Sequence, residues 1–150
     1  MVQLNGVSIA KPVPPETYLG VAESMIAGVS VLAKHGIAGL ALPLVAAHTL
    51  ECALKAYLSR DGRDSHLKQH PLCHHIVKLW TLARTEGLPI GDVPDWAAIL
   101  SRIHDKPYYL RYSTGIHGIV TPAPEPMATE LAAIIGTVRQ GIHDYRKGLE

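Results

Sequence analysis

Three titratable side chains that could do chemistry follow one another at helical spacing near the middle of the chain: His48, Glu51 and Lys55. At 100° of rotation per residue, these positions fall within about 60° of one another on a helix surface. Apolar and small residues occupy the opposite side of the same segment. Two interpretations are open. Either Glu51 and Lys55 form an ordinary exposed ion pair with His48 in solvent, or the strip faces a partly buried groove.

A second group of chemistry-bearing residues lies at 70–75, where the sequence reads His-Pro-Leu-Cys-His-His. Zinc and iron bind to these side-chain types, so His70, Cys73, His74 and His75 could combine with the strip around Glu51. The spacing is unspecific, since dinuclear iron bundles carry Glu-x-x-His on two helices and this chain has His-x-x-Glu. We therefore expect no metal and no cofactor, and a metal-binding bundle stands as a third functional hypothesis.

Two Arg/His pairs offer the groups needed to cleave RNA at its own 2′-hydroxyl. In that reaction an arginine neutralises the phosphorane and a histidine moves a proton. Arg111 and His117 are six positions apart in a predicted loop, and Arg139 and His143 are four apart on one face of the last predicted helix. No nucleophile elbow, P-loop or dinucleotide fingerprint accompanies them.

The segment 55–84 is cationic in a chain whose formal net charge is only +1. It contains six Lys or Arg residues, two acidic residues and four histidines. Such a surface can hold phosphate groups, although a solvated face is the commoner explanation.

Further along, Tyr108, Tyr109 and Tyr112 alternate with Lys106 and Arg111, so their rings are either platforms for stacked bases or part of the core.

Helices must position these residues, because helical periodicity is strong along the chain and strand-like alternation occurs only briefly, around 2–9. Pro43 either belongs to the first turn of the second helix or kinks it. Short connections between amphipathic helices predict an all-α, up-and-down bundle of four to five helices, in a single domain over 1–150 with a helical core at about 15–147. The predicted helices cover about 15–34, 40–59, 71–86, 95–104 and 126–147.

Composition excludes several broad classes of protein. With 150 residues, 47% hydrophobic and 18% charged, the chain can bury a core and is not disordered over long stretches. The longest apolar run, 37–47, is too short to cross a membrane. The first residues lack the pattern of a secretory signal, and two cysteines without Cys-x-x-Cys spacing suggest free thiols. We therefore expect a soluble, cytoplasmic protein without membrane contact.

Three motifs resemble those of a known family, the HEPN (higher eukaryotes and prokaryotes nucleotide-binding) domain. Its second helix reads roughly His-x-x-Glu-x-x-Leu-Lys-x-x-Leu, and the segment 47–58 is Ala-His-Thr-Leu-Glu-Cys-Ala-Leu-Lys-Ala-Tyr-Leu. Its next helix often opens His-Asp-Leu-x-x-Leu, and the segment 74–80 is similar, with His75 in place of the Asp. Many members then carry Arg-Tyr-Pro, which Leu-Arg-Tyr-Ser at 110–113 resembles. The order and spacing of the motifs agree with the family's five-helix layout.

The resemblance implies a helical bundle, HEPN-like and commonly a homodimer, often encoded beside a small nucleotidyltransferase in a toxin–antitoxin module. Many members are metal-independent RNases that use Arg-x4–6-His at the start of the last helix, in a cleft at the dimer interface. Arg111 and His117 have an allowed spacing but precede the prolines before the last helix, whereas Arg139 and His143 are one residue short. Other members bind a nucleotide or a partner without cleaving RNA.

The leading hypothesis is an RNA- or nucleotide-binding component of a toxin–antitoxin or defence system, with metal-independent endoribonuclease activity as one form of it. In that form Arg111 would neutralise the scissile phosphate and His117 would be the general acid or base. The alternative is a non-catalytic helical module that pairs with a nucleotidyltransferase. The residues expected to line the binding groove are His48, Glu51, Lys55, His74, His75, Tyr109 and Tyr112.

Overall fold

The computed structural model of the protein describes residues 2–4, 7–9, 13–37, 39–110 and 118–150. A short antiparallel hairpin comes first, with Val2 opposite Ile9, where the sequence alternates briefly. The other described regular elements are helices, which confirms the predicted all-α bundle. The described strands and α-helices are β1 (Val2–Leu4), β2 (Val7–Ile9), α1 (Glu16–Lys34), α2 (Ala41–Leu58), α3 (Ile76–Thr85), α4 (Asp95–His104) and α5 (Pro124–Lys147), and a single turn of 3-10 helix covers Ser65–Lys68.

Helix α2 is the centre of the bundle. It packs against α1, α3, α4 and α5, and 14 of its 18 residues are buried. Alanines 46, 47, 53 and 56 are all fully covered or nearly so, and their small side chains let neighbouring helices approach closely. The other helices are amphipathic, so each buries one stripe against α2 or its neighbours. The buried charged side chains of α2, Glu51 and Lys55, therefore have to find their partners inside the protein.

Proline 43 lies in the first turn of α2 and does not kink it. The helix starts at Ala41, so Pro43 is its third residue. The first four backbone N–H groups of a helix have no partner within the helix, and a proline in this turn loses no hydrogen bond. Of the two positions that the sequence allowed for Pro43, the first turn of the helix is therefore confirmed.

The predicted start of α3 at Pro71 was wrong. The helix begins at Ile76, and His75 precedes it in an extended conformation, with its side chain accepting a hydrogen bond from the backbone N–H of Lys78 at 3.4 Å. The residues before it are held in turns, in which the N–H of Cys73 donates to the carbonyl of Gln69. A side-chain cap of this kind competes with further helix, because it satisfies a terminal N–H group. The buried stripe predicted for this helix is confirmed from Ile76 to Ala83.

The length and hydropathy of the helices can be compared with the expectation of no membrane contact. Within the described parts of the chain, no helix is both long enough and apolar enough to cross a bilayer. The largely apolar α2 is instead covered by the four other helices.

The packing of α5 on α2 gives a test of the fold. A Cβ atom added at Gly141 would lie 2.9 Å from Cε2 of Tyr57. That ring cannot move away easily, because its hydroxyl donates to the carbonyl of Glu86 and the Arg60 guanidinium lies 4.3 Å from the ring centroid. We expect Gly141→Ala to lower the free energy of unfolding by about 1–3 kcal/mol in chemical denaturation.

The matched control is Gly136→Ala in the same helix, where the added Cβ would meet open space. There the higher helix propensity of alanine should raise the free energy of unfolding by up to about 1 kcal/mol. Equal effects of the two substitutions would contradict the close contact between Gly141 and Tyr57.

Candidate functional site

A buried carboxylate, that of Glu51 on α2, lies at the centre of the candidate site. Glu51 is only 4% exposed, yet three basic side chains reach it. Its Oε1 is 2.7 Å from Nζ of Lys55, and its Oε2 is 2.6 Å from Nε2 of His104 and 3.2 Å from Nδ1 of His74. These four residues, called here the Glu51 cluster, join α2 to α4 and to the turn before α3.

The Glu51 carboxylate is ionised in this setting. Burial alone would raise its pKa, but the hydrogen bond with His104 and the positive charge of Lys55 outweigh burial and bring the pKa down to about 2. Lys55 is itself 5% exposed, and its Nζ also donates to the backbone carbonyl of Cys73 at 2.6 Å. The ion pair predicted from the i,i+4 spacing is therefore present, but it is buried and is not a solvent-exposed surface pair.

His74 is the member of the cluster that reaches the surface. Its side chain is 30% exposed and lines a cavity of about 390 Å³. Its ring also makes edge contacts with the rings of His104 and Tyr108, at centroid distances of 6.0 Å in both cases. The other residues that line this cavity, called here the His74 cavity, are His70, Pro71, Cys73, Asp105, Lys106 and Tyr108.

Tyr108 reaches the cavity with an unusual backbone conformation. Its φ is +64°, in the left-handed region that residues other than glycine rarely adopt. Its N–H donates to the carbonyl of Asp105 at 2.8 Å, which closes a tight turn directly after α4. Such a conformation costs on the order of 1 kcal/mol, and strained residues of this type cluster at binding and catalytic sites. The turn places the phenol ring beside His74.

The structure brings only some of the predicted groove residues together. Glu51, Lys55 and His74 meet in the cluster. His48 lies one turn earlier on α2, half-buried, with its Nε2 3.8 Å from the Cys52 sulfur. His75 caps α3 and is not among the residues that line the cavity with His74, and its binding role stays a prediction.

The remaining predicted residues are in the segment that follows α4. Tyr109 is half-buried and comes directly after Tyr108 in the chain. Arg111, Tyr112 and His117 lie outside the described residues, so the roles given to them stay predictions.

His104 is the functional candidate that sequence reasoning missed. It is the last residue of α4, 53 positions from Glu51 and 1% exposed. A signal was present, because His104 continues the buried stripe of α4 at four residues after Leu100 and seven after Ala97. A titratable residue on an otherwise buried stripe needs a polar partner. The nitrogen Nδ1 of its ring is buried and has no hydrogen-bond partner among the described residues.

The cationic character predicted for 55–84 is largely neutralised within the protein. Five of its six basic side chains form ion pairs with carboxylates, and among the described residues only Lys78 of this set has no such pair. A phosphate-binding surface along the whole segment is therefore not favoured. The pairs are Lys55–Glu51, Arg60–Glu86, Arg63–Asp61, Lys68–Asp64 and Arg84–Asp92.

The second Arg/His pair is remote from the His74 cavity. Arg139 lies on the exposed side of α5, where its Nε donates to Glu23 of α1 at 2.7 Å. His143, one turn further on, is exposed. Neither side chain lines the cavity.

The two cysteines differ in their surroundings. Burial, together with the negative charge of Glu51, raises the pKa of Cys52 to about 12, so its thiol is not a nucleophile at neutral pH. Cys73 is half-buried and lines the His74 cavity. Both are free thiols, as predicted.

The fold and the site define a class of protein: an all-α bundle built around a buried carboxylate that is paired with a lysine and two histidines, one of which opens into a surface cavity. Comparison with protein-family models finds no match to this chain, and comparisons with curated proteins and with solved structures find none either. The resemblance to the HEPN domain therefore depends on the three motifs alone.

The depressed pKa of Glu51 gives a pH-dependent prediction. Because the folded protein favours the ionised carboxylate, this stabilisation is complete above the ordinary pKa of 4.5 and is lost as the pH falls towards 2. In chelator-treated protein we expect the free energy of unfolding to fall by about 3 kcal/mol more between pH 5 and pH 2 in the wild type than in Glu51→Gln. Urea denaturation at a series of pH values measures this difference.

The matched control is Glu23→Gln, which removes a carboxylate whose ion pair with Arg139 is solvent-exposed. Exposed pairs contribute less than about 1 kcal/mol, so this variant should keep the acid sensitivity of the wild type. An acid response in Glu51→Gln as steep as that of the wild type would contradict the ionised, buried state of Glu51.

Proposed function

We propose that this chain is a HEPN-like RNA- or nucleotide-binding component of a toxin–antitoxin or defence system, with the His74 cavity as its binding site. One observation carries the proposal: His74, Lys106 and Tyr108 line the same cavity. The chain leads on from Leu110 directly into the segment with Arg111 and His117. Of the cavity residues, Lys106 and Tyr108 thus precede the predicted dyad by a few positions in the sequence.

The chemistry of the cavity suits a nucleotide. The ammonium of Lys106 and the imidazoles of His70 and His74 are groups that contact phosphate oxygens. Tyr108 offers a ring face or edge to a base. A volume of about 390 Å³ lies within the range of about 300–1,000 Å³ that small-molecule sites span. The cavity therefore fits a single unstacked nucleotide, the form in which single-stranded RNA is recognised.

The Glu51 cluster supports the cavity from the protein interior. Glu51 and Lys55 are buried and do not line the cavity, so their role is to position His74. Because Nδ1 of His74 faces the Glu51 carboxylate, Nε2 is the ring atom left to contact a phosphate group. A ring fixed in this way loses little freedom when it binds a phosphate group.

The catalytic form of the proposal uses groups of this chain alone. The 2′-hydroxyl attacks the adjacent phosphorus and the bond to the 5′-oxygen breaks, which leaves a 2′,3′-cyclic phosphate and a 5′-hydroxyl. Arg111 would stabilise the charge on the phosphorane. His117 would take the proton from the 2′-hydroxyl or give one to the leaving oxygen. The homodimer and the nucleotidyltransferase partner belong to the same proposal through the resemblance.

Removing one positive charge from the cavity wall tests whether RNA binds in the His74 cavity. Lys106→Ala removes the ammonium from the cavity wall, and we expect it to weaken binding of a fluorescent single-stranded RNA by about 5–10-fold at 0.1 M salt, with a smaller salt dependence. Fluorescence anisotropy measures both. Lys34→Ala, at the far end of α1, removes the same charge away from the cavity and should change affinity by less than twofold. Equal losses in the two variants would place the RNA elsewhere.

Cleavage of a labelled single-stranded RNA in the presence of EDTA tests the catalytic form. We expect Arg111→Ala and His117→Ala each to reduce the rate by at least about 100-fold, with unchanged helical content by circular dichroism. Arg139→Ala and His143→Ala are the controls and should retain the wild-type rate. Loss of cleavage only in the α5 variants would instead identify Arg139 and His143 as the catalytic pair.

Absence of both binding and cleavage by the wild type would favour the non-catalytic interaction module. For that function the described surface offers exposed apolar side chains near the end of α1 and the start of α2, namely Val31, Ile37 and Leu40. Exposed apolar surface is where proteins commonly bind other proteins.

A further inference from the structure

We propose that Glu51, His74 and His104 form a binding site for one divalent transition-metal ion. The geometry that points to it is the convergence of three ligand atoms: a carboxylate oxygen of Glu51, Nδ1 of His74 and Nε2 of His104 all lie within 4.8 Å of one another. The metal hypothesis drawn from the sequence already combined His74 with Glu51, but its other ligands were His48 and the chain neighbours of His74, and it did not include His104. This site goes beyond the proposed RNA function and does not depend on it.

The ligand types select the kind of ion. Two imidazoles and one carboxylate are the protein ligands of catalytic zinc sites and of mononuclear ferrous sites. Calcium and magnesium prefer oxygen ligands throughout. We therefore assign the site to zinc or another first-row divalent ion.

The distances are close to those a bound ion requires. Zinc bonds of about 2.0–2.2 Å put neighbouring ligand atoms in a tetrahedral site roughly 3.3 Å apart. Oε2 of Glu51 is 3.2 Å from Nδ1 of His74, and it is 2.6 Å from Nε2 of His104. Relative to Oε2, Nδ1 of His74 is therefore already at the required spacing, and Nε2 of His104 is too close by less than about 1 Å. The remaining pair, Nδ1 of His74 and Nε2 of His104, lies within 4.8 Å.

The two oxygens of Glu51 have different closest partners, Lys55 at Oε1 and His104 at Oε2. Nδ1 of His74 lies almost midway between them, 3.3 Å from Oε1 and 3.2 Å from Oε2. An ion can replace the contacts at Oε2 while Lys55 continues to hold the carboxylate through Oε1. A second partner of this kind fixes the orientation of a ligating carboxylate, and such partners are common behind metal ligands. Lys55 is in turn held by the carbonyl of Cys73.

The site has an access route and further donors. His74 is the exposed edge of the cluster, and it lines the His74 cavity together with Cys73 and Asp105. An ion can enter from this side, and the position not filled by protein ligands would face the cavity, as in catalytic zinc sites. An anionic ligand at that position, such as hydroxide or a phosphate oxygen, would offset the positive charges of the ion and Lys55.

The test is a zinc titration of the full-length protein, made without a His tag and stripped with a chelator, in competition with a chromophoric chelator at pH 7.5. We expect one site per chain, with affinity reduced by at least about 100-fold in His74→Ala and in Glu51→Gln. His143→Ala removes an exposed histidine of α5 and should leave the affinity unchanged. Cobalt(II) gives a second readout, since a site with nitrogen and oxygen ligands produces visible absorption bands that His74→Ala should abolish.

Failure to bind about one zinc ion per chain, or equal affinities in His74→Ala and His143→Ala, would overturn the assignment. The side chain of His74 is 30% exposed, and circular dichroism checks that its substitution by alanine leaves the fold intact. The titration contains no RNA, and the cleavage assay contains EDTA. The metal site and the RNA function can therefore fail separately.

Discussion

The structure depends most on the burial of the Glu51 carboxylate. Removing a charged group from water costs several kcal/mol, and the cost is recovered only when hydrogen-bonding and charged partners surround it. Lys55 supplies the opposite charge from the next turn of the same helix, while His104 and His74 come from other parts of the chain. The positions of α4 and of the turn before α3 are therefore tied to one carboxylate.

This constraint explains why the chain before α3 is not helical. The turn at 69–75 has to carry the His74 ring to Glu51 and, at the same time, offer the carbonyl of Cys73 to Lys55. A carbonyl within a regular helix would be used by the helix itself. Holding this segment in turns leaves a backbone acceptor for the buried ammonium, and α3 then begins at Ile76 with His75 as its cap.

The same arrangement links the protein interior to its surface. Within the Glu51 cluster, His74 has one ring nitrogen at the buried carboxylate and part of its side chain in the cavity. Tyr108 lies beside it because of the tight turn that follows α4. The proposed binding of a nucleotide phosphate and the proposed binding of a metal ion would both use this imidazole, and they are compatible because phosphate oxygens are themselves ligands for metal ions.

The sequence by itself determined the features that arise within one helix. Periodicity is local, so it located α1, α2, α4 and α5 to within a few residues, and the spacing of Glu51 and Lys55 predicted their ion pair. Whether that pair is buried depends on four other helices packing around α2, which no local pattern contains. His104 joins Glu51 across 53 positions, and the start of α3 reflects a competition between helix propensity and a side-chain cap. The tertiary structure decided these points, because the energy of a buried charge is set by groups that are distant in the chain and adjacent only after folding.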